Sequence, residues 1–217
     1  MHLSFSTNKP MNIFKGWENH TERISANWKR LVKSSDTVIL PGDFSWGLKL
    51  EETKKDFEFL ENLPGKKILL KGNHDLWWST SKKLREFLDN NKFNSVDFIF
   101  NNCAVCEGYA VAGTRGWFFD DKPDPKILQR EAGRLELSLT AAEKTGLPIL
   151  TFLHYPCVWG DEVCEEIFGV IKRHGIKQVY HGHIHGAGAC KVKTEYDGVK
   201  FRLLSCDCVD FTPVFIV

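Results

Sequence analysis

The sequence lacks any long apolar run, since no stretch approaches the roughly 18 consecutive apolar residues that a membrane-spanning helix needs. It also lacks a basic segment followed by an apolar one at its start, which is the pattern of a secretory signal. Basic and acidic residues nearly balance at 29 and 28, and the basic residues form no run, so a nucleic-acid-binding surface is not indicated. These absences predict a cytoplasmic protein without a membrane or nucleic-acid partner.

Low-complexity linkers and internal repeats are also missing, and the 217 residues are 42% hydrophobic and 26% charged, an ordinary globular balance. We therefore predict one domain over residues 1–217. The seven cysteines form an odd set, which is typical of reduced thiols. Two close pairs, Cys103 with Cys106 and Cys206 with Cys208, would suffice in number for a structural zinc site. The spacing of the second pair is poor for zinc and favours simple packing of these thiols.

Short apolar runs that end near glycine-containing turns predict buried strands. Residues 36–40 read DTVIL before Pro41-Gly42, and residues 67–70 read KILL before Lys71-Gly72. Between them, apolar residues recur at helical spacing from Leu50 to Leu63. Further strands are predicted at 98–100, 109–112, 149–153, 178–181 and 201–204, and further helices at 79–89, 126–144 and 162–174. The pattern predicts an α/β fold.

Side chains that bind metals follow four of these predicted strands. They are Asp43 in Gly42-Asp43, the block Gly72-Asn73-His74-Asp75, His154, and the block His181-Gly182-His183-Ile184-His185. Loops at the carboxyl ends of strands converge in α/β folds, so we expect these side chains to share one centre. Carboxylate, amide and imidazole ligands suit Mn²⁺, Fe or Zn²⁺. By spacing alone, any two of the three alternating histidines 181, 183 and 185 could be ligands.

In these blocks and their order, the sequence resembles the calcineurin-like metallophosphoesterases, whose signature runs D-x-H, G-D, G-N-H-[DE], a lone H and G-H-x-H. The resemblance implies a four-layer αββα sandwich with mixed sheets flanked by helices, and a centre with two divalent metal ions, Mn²⁺ being favoured. It implies that Asp43 bridges both ions, that Asn73, His154 and His183 complete one, and that His2 and His185 serve the other. Gly182 sets the register in favour of His183 and His185.

The start of the sequence departs from the family pattern. His2 matches the histidine of D-x-H, but the aspartate two residues before it has no position, and neither has the opening strand. We expect that the sequence begins internally and that the first strand is missing. If the chain is truly this short, we expect the first metal ion to bind weakly.

The resemblance implies hydrolysis of a phosphomonoester or a phosphodiester by a hydroxide that bridges the two metal ions. His74 would protonate the leaving oxygen or stabilise its charge, and Asp75 would orient the His74 imidazole. A non-catalytic metal-binding scaffold of the same fold is the alternative. The complete Gly-Asn-His-Asp block favours catalysis over that alternative.

The substrate is predicted to be a small phosphorylated molecule, and the oligomeric state is not indicated. Arg115, in Gly113-Thr114-Arg115-Gly116-Trp117, could bind a phosphate, with a structural salt bridge as the alternative. Aromatic residues near the four blocks could stack a flat group or simply pack the fold. They are Trp46, Trp77, Trp78, Trp117, Phe118, Phe119 and Trp159. His20 and His174 lie in polar helical segments and are predicted to be surface residues.

Overall fold

The computed structural model describes residues 1–117 and 124–217. The chain forms two compact units, the first made of Met1–Phe98 with Cys206–Val217 and the second of Ile99–Ser205. Within the described ranges, no helix is long and apolar enough to cross a membrane. The prediction of one domain over residues 1–217 stays a prediction.

The first unit contains a parallel three-stranded sheet in the order β1-β2-β3. Its strands are β1 (Thr37–Leu40), β2 (Lys66–Leu69) and β3 (Val96–Phe98), and its α-helices are α1 (His20–Leu31), α2 (Lys54–Glu61) and α3 (Ser81–Asn91). Short 3-10 helices cover Met11–Ile13 and Leu50–Thr53. Leu3 forms a parallel bridge with Ser45, so residues near the start of the chain lie beside the loop that follows β1.

An aromatic cluster fills the core of the first unit. Phe57 of α2 lies 4.8 Å from Phe44, 5.5 Å from Trp77 and 5.6 Å from Phe93, measured between ring centroids. Phe44 and Phe57 are almost completely buried. Because Phe44 and Trp77 follow strands β1 and β2, this packing fixes the two loops that carry the predicted metal ligands.

The second unit contains a mixed six-stranded sheet in the order β10-β11-β9-β6-β5-β4, formed by residues that the structure describes. Its strands are β4 (Ala104–Cys106), β5 (Tyr109–Thr114), β6 (Ile149–Leu153), β9 (Gln178–His181), β10 (Glu195–Tyr196) and β11 (Val199–Leu203). A hairpin of β7 (Val158–Trp159) and β8 (Glu162–Val163) follows β6. The helices are α4 (Pro125–Glu143), α5 (Glu165–Arg173) and a 3-10 helix at Gly186–Lys191.

Helix α4 covers the sheet of the second unit. It begins with Pro125 directly after Asp124, whose side chain accepts the N–H of Lys126 at 2.9 Å as an N-cap. Leu135 and Leu139 of α4 belong to one buried cluster with the sheet residues Ala110 and Ala112 and with Ile171 of α5. The apolar face of the helix therefore holds it on β5, the strand that leads to Arg115.

The predicted α/β class is confirmed, and strands 149–153 and 178–181 have the predicted bounds. The strand predicted at 98–100 lies instead at Val96–Phe98. The helix predicted at 162–174 is shorter, Glu165–Arg173, because residues 162 and 163 pair with β7. His20 was placed in a polar helical segment, but the bounds of helix α1 were not predicted, since its buried residues are few and separated by polar ones.

Candidate metal centre

In the first unit, Asp43 is held in a backbone conformation that few residues other than glycine adopt. It follows β1 and Gly42, has a φ of 53° and is buried. The backbone N–H of His74 donates to Oδ1 of Asp43 at 2.8 Å. On the other side, Nε2 of His2 lies 3.8 Å from Oδ2 of Asp43. A buried aspartate whose backbone lies in the left-handed region is strained, and such strain is found at functional sites.

The carboxylate of Asp75 holds this loop from inside the protein. It accepts the backbone N–H groups of Asp43 at 2.9 Å, Phe44 at 2.9 Å, Ser45 at 3.2 Å and Gly72 at 2.7 Å, and the indole N–H of Trp77 at 3.1 Å. Burial and then the charge of Asp43 raise the pKa of Asp75 to about 6. Asp75 was expected from the sequence to orient the His74 imidazole. Among the described residues, its carboxylate accepts instead from these five donors, three of which belong to the Asp43 loop. Asp75 therefore orients the Asp43 loop.

Gly72 stands where no side chain fits. A Cβ atom on Gly72 would lie 2.1 Å from Oδ1 and 2.2 Å from the backbone nitrogen of Asp43. The loop after β2 therefore touches the loop after β1 through bare backbone, which explains the glycine that precedes Asn73 and His74. This close approach brings the Gly72-Asn73-His74-Asp75 block to Asp43.

Two histidines of the first unit lie at Asp43 together with an aromatic ring. The His74 ring, half-buried, lies 4.3 Å from the Trp46 ring and 5.7 Å from the His2 ring. His2 is buried, has a φ of 56°, and donates its backbone N–H to the carbonyl oxygen of Asp43 at 2.9 Å. The structure therefore groups three of the predicted site residues, His2, Asp43 and His74, and places Asn73 beside His74.

In the second unit, a backbone hydrogen bond joins the loops that carry His154 and His183. His154 follows β6, is buried, and accepts the N–H of Gly182 at 3.1 Å through its carbonyl oxygen. The His154 and His183 rings are 5.1 Å apart. His183 has a φ of 69°, which turns the chain sharply after β9. His185, half-buried, stands at the start of the 3-10 helix Gly186–Lys191.

His181 differs from the two histidines that follow it. It is the last residue of β9 and is completely buried, and Nδ1 lies 3.2 Å from the carbonyl oxygen of Gly182. Burial, with a smaller effect of neighbouring His154, lowers the pKa of His181 to about 4, so its imidazole is neutral at pH 7. The strand ends here, so histidines 181, 183 and 185 do not share one strand face as their alternation predicted.

The donor atoms of each unit fit divalent metal ions. The first unit supplies a carboxylate from Asp43, an amide from Asn73 and an imidazole from His2, and the second supplies imidazoles from His154 and His183. Carboxylate, amide oxygen and imidazole together are ligands of Mn²⁺, Fe and Zn²⁺, and burial of Asp43 favours a bound cation as its counter-charge. Asp43 is fixed before any ion binds, because Asp75 accepts its backbone N–H and the backbone N–H of His74 donates to its Oδ1.

The family model of the calcineurin-like phosphoesterases matches residues 2–187. The chain belongs to this family. Membership supports a metal-dependent phosphoester hydrolase at the level of the family and implies divalent metal ions. Among the curated proteins, none matches this chain.

Two solved structures are similar to this member of the calcineurin-like phosphoesterase family. TT1561 of Thermus thermophilus has a TM-score of 0.57 at 15% identity, covering 87% of this chain and 84% of its own. The protein of unknown function AQ665 from Aquifex aeolicus has a TM-score of 0.48 at 18% identity, covering 93% and 82%. The first similarity and the family match confirm the predicted fold class, mixed sheets flanked by helices.

In this calcineurin-like phosphoesterase, Arg115 lies in a network of charges within the second unit. Its Nη2 donates to Oε1 of the buried Glu131 at 3.2 Å, and Nη1 of Arg134 donates to the same oxygen at 2.6 Å. Thr114 donates to the other oxygen at 3.0 Å. The salt bridge weighed as an alternative for Arg115 is present. One carboxylate facing two guanidinium groups leaves one positive charge in excess.

Some of the aromatic residues predicted near the blocks pack in the first unit, and others contact His74 or Tyr155. Trp77 is buried in the aromatic core, and Trp78 packs on Trp77 at 5.3 Å. Trp46 contacts His74, and Trp117 lies 5.8 Å from Tyr155. Phe118 and Phe119 lie outside the described residues. Tyr155 was not singled out from the sequence, although its place directly after His154 was the available signal.

Proposed function

We propose that this chain hydrolyses a phosphomonoester or phosphodiester of a small molecule with two divalent metal ions. In the proposal, Asp43 is shared by both ions, with Asn73, His154 and His183 on one and His2 and His185 on the other. A small phosphorylated substrate and a cytoplasmic location remain part of the proposal. The alternative is a metal-binding scaffold of the same fold without catalysis.

The backbone conformations of the proposed ligands and the hydrogen bonds that hold Asp43 carry this proposal. Three of the six proposed ligands, His2, Asp43 and His183, have left-handed backbones with φ values of 56°, 53° and 69°. Each such residue costs on the order of 1–3 kcal/mol. Other described residues with this conformation, such as Asn19, Lys92 and Glu107, lie in turns, whereas these three proposed ligands carry metal-binding side chains and are buried or half-buried. A buried aspartate whose backbone is fixed by Asp75, with an imidazole 3.8 Å from its carboxylate, suits a cation.

When bound, the ions would lower the pKa of a water molecule towards 7 and withdraw charge from the phosphoryl oxygens. Manganese is the favoured metal, because carboxylate and amide oxygens accompany the imidazoles, and iron and zinc are the other candidates.

His74 is the proposed proton donor to the leaving oxygen. Its ring packs on Trp46, and its backbone N–H is bonded to Asp43, so the imidazole is fixed beside the proposed ligand while remaining half exposed. A proton donor needs this combination of a fixed position and access to substrate. Arg115 is the proposed phosphate-binding residue, because the network it forms with Glu131 and Arg134 retains an excess positive charge.

The experiment that tests the proposal measures hydrolysis of p-nitrophenyl phosphate and of bis(p-nitrophenyl) phosphate after addition of Mn²⁺, Fe²⁺ or Zn²⁺ to metal-free protein. We expect turnover of at least one ester with at least one metal, and loss of turnover when EDTA is added. Far-ultraviolet circular dichroism verifies that the protein is folded in every condition. A folded sample that binds metal and turns over neither ester would support the scaffold alternative.

A further inference from the structure

Aromatic rings of the second unit lie in a continuous row that starts at His183. The Tyr155 ring lies 4.2 Å from the His183 ring, and the Trp117 ring lies 5.8 Å from Tyr155 at an interplanar angle of 38°. The guanidinium of Arg115 lies over the Trp117 ring at 4.7 Å. Tyr155 and Trp117 are both half-buried. The row therefore leads from a proposed metal ligand to rings that solvent can reach.

The backbone builds this row from two separate loops. The N–H of Tyr155 donates to the carbonyl oxygen of Arg115 at 2.9 Å, continuing the pairing of β5 and β6 beyond both strands. Gly116 has a φ of 70°, and a Cβ there would lie 3.4 Å from the carbonyl oxygen of Tyr155. The turn at Gly116 thus sets Trp117 against Tyr155.

The other tryptophans near the blocks are less suited to bind a flat ring. Trp46 packs on His74, and its indole N–H donates to the sulfur of Met11 at 3.4 Å. The Trp159 indole N–H donates to the carbonyl oxygen of Gly188 at 3.5 Å. Trp77 is buried and Trp78 packs on it, so Trp117, which has Tyr155 as a neighbouring half-buried ring, is the better candidate for a ligand surface.

The faces of the rings, and not buried polar atoms, form the proposed binding surface. Nε1 of Trp117 and Nε of Arg115 have no hydrogen-bond partner within the described residues, but both atoms are buried, so a ligand on the ring faces does not reach them. A flat heteroaromatic group would supply stacking area at the half-buried rings of Trp117 and Tyr155.

We infer that Trp117 and Tyr155 form a stacking subsite for a nucleobase-like heteroaromatic ring, so that the substrate is a phosphate ester bearing such a ring. This inference rests on the proposed function and names its substrate class. The half-buried ring pair supplies the stacking surface, and Arg115 supports the Trp117 ring from one face. Stacking on aromatic side chains tolerates different bases, so the subsite selects a ring rather than one particular base.

The test compares adenosine 5′-monophosphate with ribose 5-phosphate, which share the same ester oxygen and differ by the base. With Mn²⁺, we expect kcat/KM to be about tenfold or more higher for the nucleotide. Trp117→Leu should remove most of this preference through KM, because the base is remote from the reacting atoms. Trp117→Phe should retain it. Tyr196→Leu, which removes an exposed ring on β10, is the matched control and should leave both substrates unchanged.

Equal kcat/KM values for the two compounds in the wild type, or a preference that survives Trp117→Leu, would overturn the inference. Calorimetric titration of the same two compounds in EDTA separates this failure from failure of the proposed function. If no ester is hydrolysed with any metal but the nucleotide still binds about tenfold tighter and Trp117→Leu abolishes the difference, the subsite stands and the hydrolase proposal fails. If an ester is hydrolysed but the nucleotide is not preferred, the hydrolase proposal stands and the subsite inference fails.

Discussion

The carboxylate of Asp75 accepts the backbone N–H of Asp43 at 2.9 Å, across 32 residues of sequence. Asp75 is completely buried, and Asp43 is held with a φ of 53°. The two acidic residues, Asp75 and Asp43, therefore have different roles. Asp75 fixes the backbone of the loop, and the side chain of Asp43 is thereby left to face a metal ion.

Asp75→Asn tests this role. The amide NH₂ cannot accept the N–H groups that one carboxylate oxygen now accepts, so buried donors lose their partners. We expect the free energy of unfolding to fall by about 2 kcal/mol or more, measured by urea denaturation, together with weaker Mn²⁺ binding. Asp89→Asn, on the exposed surface of α3, is the control and should change neither quantity.

Gly72→Ala should disrupt the same contact from the other loop. A Cβ atom 2.1 Å from Oδ1 of Asp43 must displace one of the two loops, so we expect loss of metal binding in calorimetric titration and a lower thermal midpoint. Gly133→Ala is the matched control, since nothing lies within 4 Å of a Cβ there and the residue is in α4. That variant should be more stable by up to about 1 kcal/mol. A Gly72→Ala protein with normal metal affinity would contradict the packing described here.

The blocks that follow strands were predictable from the sequence because apolar runs end at polar clusters, as at β6 before His154 and β9 before Gly182. Three of the five donors to Asp75 could not be predicted, because they are backbone N–H groups 30 to 32 residues away that carry no sequence signal. It could also not be predicted from the sequence that His181 and His183 do not share one strand face. Alternating residues share a face only while the strand continues, and the left-handed turn at His183 ends it.

Two histidines predicted at the surface are instead enclosed. His20 is buried against Trp17 and Phe211, and burial lowers its pKa. His174 follows α5, and its two ring nitrogens lie 2.7 Å from Glu143 and Glu136 of α4. A polar helical segment indicates exposure of a helix but does not reveal a partner on the next helix.

His74→Ala addresses catalysis separately from metal binding. We expect kcat to fall by about 10²-fold or more, with a larger loss for an alkyl phosphate than for an aryl phosphate, because a poor leaving group needs the proton more. Metal content, measured by atomic emission, should stay near that of the wild type. Loss of metal from the variant would make His74 a ligand and overturn its proposed role.

The stability contributed by His174 should depend on pH. Burial alone would lower the pKa of His174, but the hydrogen bonds and charges of Glu143 and Glu136 raise it above the ordinary 6.5. The protonated form is therefore favoured in the folded state, so the contribution is complete below pH 6.5 and is lost as pH rises through the raised value. Arg173 also bonds Glu136, at 2.7 Å, so its guanidinium faces the same carboxylate as the His174 ring.

Urea denaturation of wild type and His174→Gln at several pH values from about 5.5 to 9 measures this effect. We expect the stability difference between the two proteins to be largest at the acidic end and to shrink as pH rises. Glu143→Gln should reduce the pH dependence while keeping the histidine. A difference that grows with pH would show that His174 is neutral in the fold.

The most direct test of a metal-dependent hydrolase is the rate of p-nitrophenyl ester hydrolysis as a function of Mn²⁺ concentration, for wild type and Asp43→Asn side by side. We expect a saturable rise with Mn²⁺ in the wild type and a rate lower by about 10²-fold or more in Asp43→Asn, whose fold Asp75 can still hold through the backbone. Equal rates in the two folded proteins, or a rate that is independent of added metal and of EDTA, would contradict the account.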